Sequence, residues 1–86
     1  MLNQVVLVGR VVEMPNDNNE FVIKIPRPEG KESDLVTIAL SDNIASNVHE
    51  YCEEKCIVGI KGRIANVDGK LVINAEKVTF LTSKKN

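Results

Sequence analysis

Apolar side chains recur every second residue in five short stretches of this chain and at helical spacing in one. Residues 2–14 form the first stretch. Its centre, Val5-Val6-Leu7-Val8, is apolar on both alternating faces. A strand of that kind needs cover on both sides. In a chain of 86 residues the second cover is expected from another subunit, with Val6 and Val8 at the interface. Gly9 interrupts the run, as at a bulge or a sharp barrel bend. After a polar loop over 15–20, Phe21, Ile23 and Ile25 take one face of a second strand, and Val22 and Lys24 the other. A second loop spans 26–31, and a third strand is expected over 35–40. The helical stretch covers 43–53, with Ser41 or Asp42 as N-cap. Its stripe of Ile44, Ala45, Val48, Tyr51 and Cys52 should face the core. A fourth strand over 56–64 sends Val58, Ile60 and Ile64 one way, Lys61 and Arg63 the other. Asn66-Val67-Asp68-Gly69 is a tight hairpin turn, and the fifth strand runs over 70–81.

The order β-β-β-α-β-β predicts an all-β fold with one helix, a five-stranded OB-fold barrel. An SH3-like barrel is the rival, and the helix between the third and fourth strands favours OB. That helix is expected to plug the gap between those two strands. Residues 1–82 make one domain and 83–86 a short polar tail. Ile23, Ile25, Ile38, Leu40, Val58 and Ile60 should be buried. Phe21 and Tyr51 join them, the latter with its hydroxyl reaching a partner, and Phe80 packs in the barrel or an interface. A domain of this size buries only about 60–65% of its unfolded surface, so self-association is a natural supplement.

Several functional classes are excluded. No stretch approaches the ~20 apolar residues of a membrane span. The opening Met-Leu-Asn-Gln lacks the basic segment of a signal peptide, so a cytoplasmic location with reduced Cys52 and Cys56 is expected. One histidine supports no Ser/His/Asp arrangement, and the scattered glycines make no phosphate loop, so no enzyme is expected. His49, Cys52 and Cys56 fall short of the four ligands a structural zinc needs. No metal and no cofactor are expected.

The formal charge of −1 is unevenly placed. Residues 1–55 hold five Lys/Arg against ten Asp/Glu, and residues 56–86 hold six against two. Lys61 and Arg63, on one strand face, suit a backbone-tracking pair on a nucleic-acid groove. Lys24, Arg27, Lys31, Lys70 and Arg10 are further candidates. The competing reading is a solvated strand face.

Asn3-Gln4-Val5-Val6-Leu7-Val8-Gly9-Arg10 resembles the opening strand of bacterial single-stranded DNA-binding proteins. Asn47-Val48-His49-Glu50-Tyr51, followed by Ile57-Val58-Gly59-Ile60-Lys61-Gly62-Arg63-Ile64, is similar to their helix and fourth strand. The resemblance runs in order from Met1 to about Leu81. It implies an OB-fold, a dimer or dimer of dimers built partly on the first strand, and single-stranded DNA binding without catalysis. It also brings in replication proteins as partners. The chain departs from the family in four places. Leu35 and Ser41 stand where aromatic stacking residues flank the third strand, and no Trp is present. The loop between the last two strands is a minimal turn. Lys55 replaces a glycine after the helix. The family's flexible, acidic-tipped tail has no counterpart after the fifth strand.

Base stacking is worth roughly 1–3 kcal/mol per base, so its depletion leaves electrostatics to supply most of the affinity. Two functions therefore stay open. One is a minimal single-stranded DNA-binding protein. The other is an oligomeric OB-fold interaction module, primosome-like or belonging to a mobile element, with little DNA affinity.

Overall fold

The structure is a computed structural model and describes residues 1–82; the tail expected over 83–86 lies outside them. Its elements are β1 (Val5–Glu13), β2 (Glu20–Pro26), β3 (Ser33–Ala39), α1 (Asp42–Tyr51), β4 (Ile57–Val67) and β5 (Lys70–Phe80). They close a barrel in the order β1-β2-β3-β5-β4. All pairings are antiparallel except β3 with β5, which meet in parallel at Ile38↔Ile73 and Ala39↔Asn74. This is the OB architecture inferred from the element order. One detail is corrected: β5, not the helix, fills the space between β3 and β4. The helix instead lays Ala45 and Val48 into the core.

Local chemistry explains the boundaries. Ser41 is the N-cap, its Oγ accepting from the Ile44 N–H at 3.3 Å. Asp68 and Gly69 alone make the last turn, both with positive φ (52° and 80°), and the Asn66 side chain accepts from the Gly69 N–H at 3.1 Å. Asn3 extends the ladder ahead of β1. Its amide donates to the Ile64 carbonyl at 2.8 Å and accepts from the Ile64 N–H at 2.9 Å. Gly9 marks a close approach of β1 to β2. A Cβ there would lie 2.9 Å from the Lys24 carbonyl oxygen. The β1 irregularity itself comes later, between Val11 and Glu13.

The core is built from Val11, Phe21, Ile23, Ile38, Val48, Val58 and Ile60, each at most 1% exposed, with Leu40 at its margin. Two expected core residues, Ile25 and Tyr51, are corrected. Ile25 is only half-buried, because β2 pairs with β1 no further than Lys24 and Ile25 lies on the hairpin beyond. Ile64, expected on the same side of β4 as Val58 and Ile60, is 46% exposed; it lies past the bulge, on the turn side of the strand. Tyr51 is 51% exposed. At about 100° per residue, Ala45, Val48 and Cys52 fall within about 60° of one another, and Tyr51 lies at the margin of that stripe. Its ring rests against half-buried Phe80 instead, with centroids 5.7 Å apart.

Lys55, between helix and β4, has φ +78°, a region that favours glycine. Lys55→Gly is expected to stabilise the fold by about 1 kcal/mol, measured by urea denaturation.

Candidate nucleic-acid interface

The barrel sorts the seven candidate cations into separate neighbourhoods. On the outer face of β4, Lys61 stands between Val6 of β1 and Lys77 of β5. Arg63, two residues on, lies opposite Asn74. The adjoining row is Val8, Gly59 and Thr79. Further round, Arg10 pairs in register with Lys24, and Lys24 with Leu35. The Arg10 guanidinium donates to the Lys55 carbonyl at 3.1 Å. Arg10, Lys24, Lys61, Arg63 and Lys77 are all exposed, and among the described residues no ion pair is recorded for any of them.

The remaining three lie elsewhere. Arg27 is held by two carboxylates, 2.7 Å from Glu32 and 2.9 Å from Asp34. Hydrogen bonding and attraction to Asp34 raise its pKa, and the guanidinium in turn holds the Asp34 carboxyl below its ordinary value. An incoming anion must displace those carboxylates. Lys31 borders a shallow hollow of about 330 Å³ beside Glu29 and Glu32. Lys70 lies at the tip of the β4–β5 hairpin. There it lines a groove of about 530 Å³ shared with Glu13, Glu20, Asp68, Val22, Thr37 and Leu71. OB barrels commonly receive oligonucleotides in this place, between the β1–β2 loop, the β2–β3 face and the β4–β5 loop. In this chain three carboxylates face a single lysine there.

Lys77 was not among the sequence candidates. Counting back from the Asp68–Gly69 turn, where Val67 pairs with Lys70 and Gly62 with Ala75, sets Lys61 opposite Glu76. A bulge between Lys61 and Gly62 shifts the register by one, and Lys61 meets Lys77 instead. The glycine at position 62 was the available signal. A Cβ there would collide with the Asn74 carbonyl, so the close approach demands glycine.

Val6 and Val8 are 72% and 54% exposed on the same outer face. Between Val5 and Gly9, β1 has a strand neighbour on one side only, because β2 joins it from Arg10 onward. Of the two positions where aromatics would stack bases, Leu35 is 66% exposed beside Lys24, and Ser41 is occupied as the helix cap. Phe21 is wholly buried. Cys52 and Cys56 are buried and not joined in a disulfide. Burial, and the neighbouring Cys56, push the Cys52 pKa up to about 12. Among the described residues no three metal-ligating side chains come together. No helix in them is long and apolar enough to cross a membrane.

No protein-family profile matches the chain. Its full length aligns, at 32% identity over 108 positions, with 68% of the single-stranded DNA-binding protein 3 of Listeria innocua. The fold is similar to the mitochondrial single-stranded DNA-binding protein of S. cerevisiae (TM-score 0.78, 18% identity, 95% of this chain and 97% of that one). It is also similar to the dimeric N-terminal domain of PriB from Thermoanaerobacter tencongensis (TM-score 0.79, 20% identity, 93% and 97%). The SSB domain of a Synechococcus protein gives a TM-score of 0.77 at 18% identity, over 92% and 96%.

Proposed function

Since the chain belongs to the single-stranded DNA-binding protein family, we propose that it binds the backbone of single-stranded DNA without sequence preference and without catalysis. The observation that carries this reading is the match, along the whole of this chain, to a protein named for binding single-stranded DNA. The exposed cations support it chemically, because Lys and Arg free of internal carboxylates are available to phosphates. Lys61 and Arg63 are the leading contacts, with Arg10 and Lys24 as a second group. Arg27, Lys31 and Lys70 sit among carboxylates and contribute less. Fluorescence anisotropy with a labelled oligo-dT at low salt tests the reading. Saturable binding is expected, with the same affinity for a mixed-sequence strand. Absence of binding would overturn it. The interaction-module alternative is not favoured, since the relative matched along the whole chain is named for DNA binding.

Self-association belongs to the same proposal. The one-sided stretch of β1 offers an edge for a second copy, on which the valines of both copies would meet side by side. Val6→Lys or Val8→Lys places like charges there and is expected to shift the protein to monomer at micromolar concentration in sedimentation velocity. Replication proteins are proposed as further partners on the family resemblance, and residues 1–82 as one OB-fold domain.

A further inference from the structure

We propose that the groove between the β1–β2 loop and the β4–β5 turn docks an extended, basic segment of a partner protein, one in which lysine or arginine alternates with aliphatic residues. The inference goes beyond the DNA reading and does not depend on it.

Charge names the occupant. Glu13 and Glu20 stand on the β1–β2 side of the groove and Asp68 on the turn side, with Lys70 as the single cation lining it. Among the described residues no ion pair is recorded for any of the four. Asp17, exposed in the same β1–β2 loop, adds a further carboxylate nearby. A polyanion entering the groove meets net repulsion, and a polycation net attraction.

The floor gives a second argument. Phe21, Ile23 and Ile38 turn into the core, so Val22 and Thr37, paired across β2 and β3, face outward and are half-buried. Both line the groove, together with Leu71 and Val67 of the hairpin, 73% and 48% exposed. An aliphatic side chain laid here covers Leu71 and Val67, while its basic neighbours meet the carboxylates on either side.

The backbone gives a third. β3 and β5 pair at Ile38↔Ile73 and Ala39↔Asn74 and part toward their N-terminal ends. Ser33–Thr37 of β3 pair with β2 alone, and Lys70–Val72 of β5 with β4 alone. Thr37 and Val72, at the fork of that split, both line the groove. An extended peptide can add its backbone to such an edge, its side chains alternating between floor and rim. A DNA strand has no amide groups with which to form that ladder.

Fluorescence anisotropy with the full chain at low salt tests the proposal, using three labelled, end-capped octapeptides. The first alternates lysine and valine, the second carries glutamate in place of lysine, and the third is the first N-methylated along its backbone. Saturable binding of the first is expected, with a Kd below about 0.1 mM. The other two are expected to bind at least tenfold more weakly. Glu20→Gln/Asp68→Asn is expected to weaken the lysine peptide about fivefold, through the loss of two exposed charge pairs. Leu71→Ser is expected to weaken it about threefold and to leave oligo-dT affinity within twofold of the parent. Absence of lysine-peptide binding would overturn the proposal. So would equal binding of the glutamate or N-methylated peptide, or groove variants that bind like the parent. If Leu71→Ser instead lowers oligo-dT affinity, the groove is a DNA site and the proposal falls while DNA binding stands. If the chain binds the lysine peptide as expected but no oligo-dT, the DNA reading fails and the docking site stands.

Discussion

Phe21→Ala is expected to lower unfolding free energy by about 3–5 kcal/mol, the cost of emptying a phenyl-sized volume in a closed core. Phe21 has no exposed surface and lies in register with Ile38, itself wholly buried. The barrel cannot collapse into the void, because the strands around it are tied edge to edge into a closed ring. For a domain of this size the change corresponds to a melting-temperature drop of about 15–30 °C. Native stability of small domains is itself only about 5–15 kcal/mol, so the variant stays folded only well below the parent's transition. At temperatures where it is folded, its affinity for oligo-dT is expected to match the parent within twofold. Calorimetry together with anisotropy on the same sample checks both halves. A variant that kept its stability and lost DNA affinity would place Phe21 at the ligand rather than in the core.

Phe21, Ile23, Ile38, Val58 and Ile60 were legible in the sequence because strand alternation assigns each of them a face without reference to distant residues. The Ser41 cap and the Asp68–Gly69 turn were legible for the same reason, being decided by a few neighbouring residues. The failures came where a distant pairing decides. Tyr51 satisfies the helical period but sits at the edge of the stripe, and the position of Phe80 settles which way its ring lies. The parallel contact of β3 with β5 rests on two residue pairs and leaves no local mark. Lys77 was missed because a one-residue bulge gives Lys61 the like-charged Lys77 as its partner in place of the oppositely charged Glu76. The engagement of Arg27 with Glu32 and Asp34 could be suspected from spacing alone, yet only the hairpin geometry shows both carboxylates on one guanidinium.

Salt is expected to control DNA binding more strongly than base identity does. Each neutralised phosphate of a single strand contributes about 0.7 to the slope of log K against log[salt]. With Arg10, Lys24, Lys61, Arg63 and Lys77 all engaged, the slope reaches about 3.5. Affinity then falls roughly 100-fold between about 50 and 200 mM salt. Stacking cannot offset this. Leu35 stands where an aromatic ring would lie, Ser41 caps a helix, and Phe21 is buried. Leu35→Trp restores one platform and is expected to add about 1–3 kcal/mol, a gain insensitive to salt.

The most direct test of the central claim, binding of single-stranded DNA mainly through phosphates, is a salt titration of oligo-dT affinity for the parent and for Lys61→Ala/Arg63→Ala. The expected result is a steep linear fall for the parent. In the double variant the slope should be flatter by about 1.4, with affinity lowered alike for every oligonucleotide. A parent whose affinity is indifferent to salt, or a double variant with an unchanged slope, would contradict the account.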